Sequence, residues 1–234
     1  MGRKIDLESS PGRSRPGPAA ATFLPMPRDA LLFIGQFMRS PALVGAVAPS
    51  SRRLARAATA TVPESGDPVV VELGPGTGPF TAVIQERLGG RGVHLAIEIN
   101  KPMAERLAQR FPRCDVISAD AVLLPELLAE RGLSAADVVV SGLPWAAFSP
   151  ELQRRLLNAI IRSMAPTGVF TTFAYLHALP LATARRFRRL LESVFEEVVC
   201  SRTVWRNIPP AFVYHARRPR AGAGEALAGT RDAS

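Results

Sequence analysis

Val69-Val70-Val71-Glu72-Leu73-Gly74-Pro75-Gly76-Thr77-Gly78 sets the architecture of this 234-residue chain. Three consecutive β-branched residues read as a parallel strand covered on both faces. Gly74, Gly76 and Gly78 then form a turn in which backbone can approach a ligand where a Cβ would clash. Pro79 follows at a position suited to the first turn of a helix, where its missing N–H costs nothing. Strand, glycine turn and helix in that order place a nucleotide-like cofactor over the turn.

The spacing narrows the choice of cofactor. G-x-G-x-G is neither the G-x-G-x-x-G of dinucleotide sites nor the G-x-x-x-x-G-K-[ST] of phosphate loops. Glu72 puts a carboxylate at the strand end, and Pro79 removes a donor that a pyrophosphate would use at a helix N-terminus. Both features oppose phosphate and suit a cationic ligand. The acidic-x-G-x-G-x-G pattern resembles the S-adenosylmethionine loop of class I methyltransferases, whose cofactor carries a sulfonium and an amino group but no phosphate. The alternative is a structural glycine turn in another α/β protein.

Length and composition fit one α/β domain with appendages. No run of 18 uncharged apolar residues occurs, so no membrane span is expected. The N-terminus lacks the apolar core of a secretory signal, which makes the cytoplasm the expected compartment. Cys114 and Cys200 offer neither a disulfide framework nor metal spacing, and no metal is expected. The net charge of +9 is unevenly spread. Residues 1–62 and 180–220 each carry nine basic and three acidic residues, while 63–179 carry ten and twelve. Two flanking segments therefore supply a positive field that seeks phosphate, on nucleic acid or on anionic lipid.

Residues 1–22 are rich in Pro, Gly and Ser and read as disordered. Residues 23–62 read as two helices. The first, near Arg28 to Met38, presents Phe23, Leu24, Leu31, Leu32, Phe33, Ile34, Phe37 and Met38 between Arg28 and Arg39. It suits either a membrane interface or a lid over the active site. The second, capped by Ser50 or Ser51, carries Arg52, Arg53 and Arg56. Residues 63–218 alternate strand and helix, which predicts a parallel sheet. Strands are predicted at Val69–Leu73, Val93–Ile99, Val116–Ser118, Val138–Ser141 and Val169–Tyr175, with Glu197–Val204 and Phe212–Arg217 as a final antiparallel hairpin. Residues 219–234 read as a disordered tail.

In such a sheet, ligands bind at the carboxyl ends of the strands. Glu98, 20 residues after Gly78, is placed to accept from both ribose hydroxyls. Asp120 can accept from an adenine amino group while the Ala121 N–H meets a ring nitrogen; capping a helix is its other role. Glu72, Gly74, Gly76, Thr77, Gly78, Glu98, Ile99, Asp120, Ala121, Ser141, Gly142 and Leu143 form the expected cofactor set. Ser141-Gly142-Leu143-Pro144-Trp145 resembles the N-[IL]-P-Y motif of amino-methylating enzymes, with Ser141 in place of Asn. Trp145 reads as a cation–π partner for an ammonium or as a core tryptophan.

Several segments together resemble the bacterial phospholipid N-methyltransferases, soluble membrane-associated enzymes that convert phosphatidylethanolamine to phosphatidylcholine. They are 41–51 (PALVGAVAPSS), VVVELGPGTGPFT, VVVSGLPW, Phe173-Ala174-Tyr175 and Val204 to Ala211 (VWRNIPPA). The resemblance spans roughly residues 31–217. It implies the class I fold with seven strands, S-adenosylmethionine as cofactor and a phospholipid amine as acceptor. It also implies attachment to the inner face of the cell membrane. Tyr175 is then expected to orient the amine, or to be a plain strand residue. His177 is expected to accept its proton, or to sit on the rim. Pro144, Arg206 and Asn207 would bind the substrate, the last two at the lipid phosphate unless they pair structurally. The N-terminal helix and Arg185, Arg186, Arg188 and Arg189 would meet anionic headgroups, unless that run is only a solvated helix face. Leu176-His177-Ala178-Leu179-Pro180 departs from the longer polar run usual in the family. Ribosomal RNA adenine dimethyltransferases and natural-product methyltransferases share parts of the pattern. Nucleic acid is not the expected partner, because Asn-x-Pro-aromatic is not matched.

Overall fold

The structure is a computed structural model and describes residues 50–229. The expectations for residues 1–49, including the apolar helix and most of the 41–51 segment, lie outside these residues. A sheet of seven strands has the order β3-β2-β1-β4-β5-β7-β6. The strands are β1 (Val69–Leu73), β2 (Val93–Glu98), β3 (Asp115–Ser118), β4 (Ala136–Ser141), β5 (Met164–Tyr175), β6 (Phe195–Cys200) and β7 (Ala211–Pro219). The first five are mutually parallel, and β7 runs antiparallel to both β5 and β6. The chain order reverses between β1 and β4, so their carboxyl ends flank the switch point where such sheets bind ligands.

Helices cover both faces, as a parallel sheet requires. Helices α1 (Arg52–Ala58), α2 (Pro79–Leu88) and α3 (Lys101–Arg110) lie on one side. Helices α4 (Leu124–Ala129), α5 (Pro150–Ser163), α6 (Ala182–Val194) and α7 (Ala223–Gly229) cover the other. Local chemistry sets their starts. Ser51, Asn100 and Ser149 each accept an N–H of the first turn, from Leu54, Met103 and Leu152. Helix α1 is fixed by Leu54, Ala55 and Ala58, all at 0% exposure, and by Thr171 Oγ1 donating to the Ala58 carbonyl at 2.8 Å.

Most strand ends fall within two residues of expectation, and three departures are larger. Strand β5 begins at Met164, because pairing continues through a register shift opposite Ala136/Val138. Strand β6 stops at Cys200 and does not reach Val204; Ser201 Oγ accepts the Val213 N–H at 3.0 Å, and pairing resumes only as a Val204–Ala211 bridge. Residues 223–229 of the tail, expected to be disordered from Pro219, form α7 against α5. Its Ala and Gly residues resemble linker composition, but small residues also allow close helix approach. A Cβ on Gly224 would stand 3.3 Å from Asn158 Oδ1.

Candidate active site

The glycine turn and the β4 loop interlock. Gly74, Gly76 and Gly78 have φ of 67°, 57° and 85°, a region that favours glycine. A Cβ on Gly74 would lie 2.7 Å from Leu143 Cδ2, and one on Gly142 would lie 2.5 Å from the Gly74 carbonyl oxygen. A Cβ on Gly78 would meet Phe111 at 2.7 Å and Leu107 at 2.8 Å. At these positions the missing side chains let one chain segment approach another, where the motif alone suggested room for a ligand. Thr77 is exposed on the turn, and its carbonyl accepts from Arg110 Nη1 at 3.0 Å.

Two carboxylates sit beneath this turn. Glu98 is 2% exposed; its Oε2 accepts the Gly76 N–H at 3.2 Å and its Oε1 the Asn100 N–H at 2.9 Å. Burial pushes its carboxyl above the usual carboxylate range, against the partial opposition of those bonds. Glu72 is 0% exposed, with Oε2 held by Thr81 Oγ1 at 2.8 Å and facing His94 Nε2 at 3.2 Å. On the other side of the same ring, Gln85 Nε2 lies 2.8 Å from His94 Nδ1. Glu72 is thus tied by one oxygen to α2 and faced by β2 from behind the turn, while its Oε1 has no hydrogen-bond partner among the described residues; Thr81 and His94 had no local sequence signal. Neither carboxylate has a Lys or Arg ion-pair partner among the described residues. Two buried acids behind the glycine turn, with no Lys or Arg opposite them, suit a cationic, phosphate-free cofactor.

Ile99 follows Glu98, and Asp120 with Ala121 follows β3, so all three stand at the same end of the sheet. Asp120 Oδ1 caps the next turn by accepting the Val122 N–H at 3.0 Å, and burial raises its carboxyl. The capping role open to it from sequence is therefore filled, by one of its two oxygens.

On the acceptor side, the segment after β4 is pinned by Ser141. Its Oγ, at 0% residue exposure, accepts the Trp145 indole N–H at 3.0 Å and the Leu143 N–H at 3.3 Å. Trp145 is 2% exposed and stacks on Phe187 at 4.7 Å and 17°. Trp145 is thus packed as a core tryptophan, with Phe187 on one ring face and its indole N–H held by Ser141. Phe187 interrupts the Arg185–Arg189 run, and with Leu191 and Val194 at helical spacing it was the sequence signal that the basic helix turns an apolar face inward.

Between this loop, the end of β5 and α6 lies a cavity of about 400 Å³. Its lining includes Pro144, Trp145, Tyr175, His177, Leu181 and Phe187. Tyr175 and His177 stack at 5.6 Å and 16° at its edge, with His177 exposed. Burial raises the Tyr175 phenol, so it stays neutral at physiological pH, and its hydroxyl has no hydrogen-bond partner among the described residues.

Asn207 departs from its expected role at a lipid phosphate. It is 3% exposed, Oδ1 accepts the Ser51 N–H at 2.8 Å, and Nδ2 donates to the Pro209 carbonyl at 2.7 Å. Both ends of its amide are thereby occupied, and Oδ1 ties segment 201–210 to the start of α1. Arg206, by contrast, is exposed. Arg185, Arg186, Arg188 and Arg189 lie on α6, and Arg188 pairs with Glu192 at 2.8 Å. Among the described residues no helix is long and apolar enough to cross a membrane, and no cluster could hold a metal ion.

A family described as methyltransferase domain matches residues 70–168. The ornithine lipid N-methyltransferase of Singulisphaera acidiphila is 36% identical over 196 residues, covering 81% of this chain and 96% of that protein. Ribosomal RNA small subunit methyltransferase A of a Synechococcus species is 30% identical over 137 residues, covering 57% of this chain and 42% of that protein. Human methyltransferase-like protein 13, solved in complex with SAH, shares the fold with a TM-score of 0.55 at 18% identity, over 76% of this chain and 90% of that one.

Proposed function

The chain belongs to the lipid N-methyltransferase family within the class I S-adenosylmethionine-dependent methyltransferases, and from that premise we propose that its acceptor is the primary amine of a membrane lipid. The methyl donor is S-adenosylmethionine, which when bound supplies an electrophilic methyl group on a sulfonium. The observation that carries the acceptor reading is the apolar cavity beside Tyr175. A free polar amine has no use for such a wall, whereas an acyl chain there stays out of water, which is worth roughly 0.8 kcal/mol per methylene relative to a chain exposed to solvent.

In this reading, Glu98 accepts the ribose hydroxyls and Asp120 with the Ala121 N–H holds the adenine edge. Thr77, Ile99, Ser141, Gly142 and Leu143 shape the groove through backbone and packing. Tyr175 receives an N–H of the neutral amine on its phenol oxygen and points the nitrogen lone pair at the donor. This is catalysis by position, and a displacement of this kind asks little else of its enzyme. Because burial keeps the phenol protonated, Tyr175 orients and does not remove the proton. His177, exposed at the rim, passes that proton to solvent.

Two headgroups fit. Phosphatidylethanolamine is favoured by the exposed Arg206, a fork suited to phosphate oxygens. An ornithine lipid is favoured by the relative that matches over 96% of its length. The N-terminal segment and the Arg185–Arg189 face would bring the enzyme to the inner membrane surface. The test is incubation with labelled donor and liposomes holding either lipid, with stripped small ribosomal subunits as control. Label in a lipid amine is the expected result. Cofactor binding without lipid label, or label in the RNA, overturns the reading.

A further inference from the structure

Strand β7 runs antiparallel to β5, with Ala211 opposite Tyr175. The segment before β7 therefore lies at the carboxyl ends of the parallel strands, beside the cavity mouth. Leu176 N–H donates to the Pro210 carbonyl at 2.9 Å, which seals the two segments together. On this segment Trp205 is 70% exposed and Ile208 66% exposed. Leu181, which lines the cavity, is 53% exposed. Large apolar side chains gathered at one end of a protein mark a contact surface.

The protrusion is built and held. Val204 N–H donates to the Ala211 carbonyl at 2.7 Å and Asn207 N–H to the Val204 carbonyl at 3.1 Å. The buried Asn207 amide locks the middle of the segment to Ser51 and Pro209. Beside Trp205, Arg53 of α1 joins Arg202 and Arg206 around a depression of about 540 Å³ that Ser201 and Thr203 also line. None of these three arginines has a carboxylate partner among the described residues. An amphipathic indole belongs at a water–lipid boundary, and unpaired guanidinium groups call for anionic oxygens at the same depth.

We propose that residues 201–210 form a bilayer-docking loop, in which Trp205 and Ile208 enter an anionic lipid surface while Arg53, Arg202 and Arg206 pair with its phosphates. Ile208 and Leu181 favour lipid over nucleic acid, because aliphatic side chains offer bases no stacking plane. Docked this way, the cavity mouth faces the bilayer and a lipid reaches Tyr175 without crossing water. The purpose of the loop rests on the lipid-acceptor reading, but docking is measured separately from turnover.

The chain has two tryptophans, and Trp145 is already buried, at 2% exposure. Adding vesicles of phosphatidylglycerol and phosphatidylcholine to the full-length protein should shift Trp205 emission to the blue. Brominated lipid should quench it, and Trp205→Phe should abolish both signals. The double variant Trp205→Ala/Ile208→Ala should sediment with such vesicles at least about tenfold less well, since it removes both apolar side chains that enter the bilayer. Its affinity for S-adenosylhomocysteine should be unchanged, which shows that the variant is folded. Vesicle binding without any change in Trp205 emission would overturn the proposal, as would an equal shift produced by RNA. Docking through Trp205 without lipid methylation would instead remove the acceptor reading and leave the loop standing.

Discussion

Replacing Glu98 by Gln should separate the cofactor role of this carboxylate from its structural one. The side chain is nearly isosteric, but glutamine keeps one acceptor oxygen where Glu98 uses two, at 3.2 Å from Gly76 N and 2.9 Å from Asn100 N. The ribose then loses an ionised acceptor. A hydrogen bond to a charged group contributes about 1.5–3 kcal/mol. At about 1.4 kcal/mol per decade, the loss of one bond weakens binding roughly 10- to 100-fold. Titration calorimetry with S-adenosylhomocysteine measures this without turnover. The pH dependence supplies a second arm. Burial holds the Glu98 carboxyl above its ordinary value, whereas hydroxyl donors favour its ionised form. Wild-type affinity should therefore be full above that raised pKa and decline as pH falls through it. Glu98→Gln should flatten the decline, leaving only the part contributed by Asp120, which burial also raises. Wild-type affinity in the variant, or an unchanged pH slope, would refute the assignment.

Other perturbations test the acceptor side. Ser141→Ala strands the buried Trp145 indole N–H and weakens the hold on Leu143, so urea denaturation should show a loss of about 2–4 kcal/mol. An effect below roughly 0.5 kcal/mol, the low end for a single hydrogen bond, would mean the hydroxyl is not the hinge of that loop. Ala184→Trp projects a ring into the cavity and should lower lipid turnover at least about tenfold, with cofactor affinity unchanged in calorimetry. Tyr175→Phe keeps the ring stack on His177 and removes the hydroxyl; kcat should fall by roughly one to two decades with little change in lipid KM.

Much of the fold was legible because its signals are local. The Val69–Leu73 strand matches its predicted bounds and α2 starts at Pro79 as expected, since β-branched residues, a glycine turn and an N-terminal proline each act within a few residues. Glu98 stood out for the same reason: strand-end position and spacing from Gly78 are both readable along the chain. What escaped was long-range. Thr81 and His94 holding Glu72, Phe187 covering Trp145, and Asn207 reaching Ser51 depend on contacts between separate elements. Exposure was equally invisible, so the same VWRNIPPA segment that pointed to substrate contact turned out to bury its Asn207 and expose its Trp205.

The central claim is that this cavity selects an amine by the chain attached to it. The direct measurement is kcat/KM for one amine headgroup carrying acyl chains of increasing length, below their micellar concentrations, with labelled S-adenosylmethionine. The account expects kcat/KM to climb about fourfold for each added methylene until the cavity is filled, from roughly 0.8 kcal/mol per buried methylene. Free ethanolamine or ornithine methylated as efficiently as its long-chain lipid would contradict it.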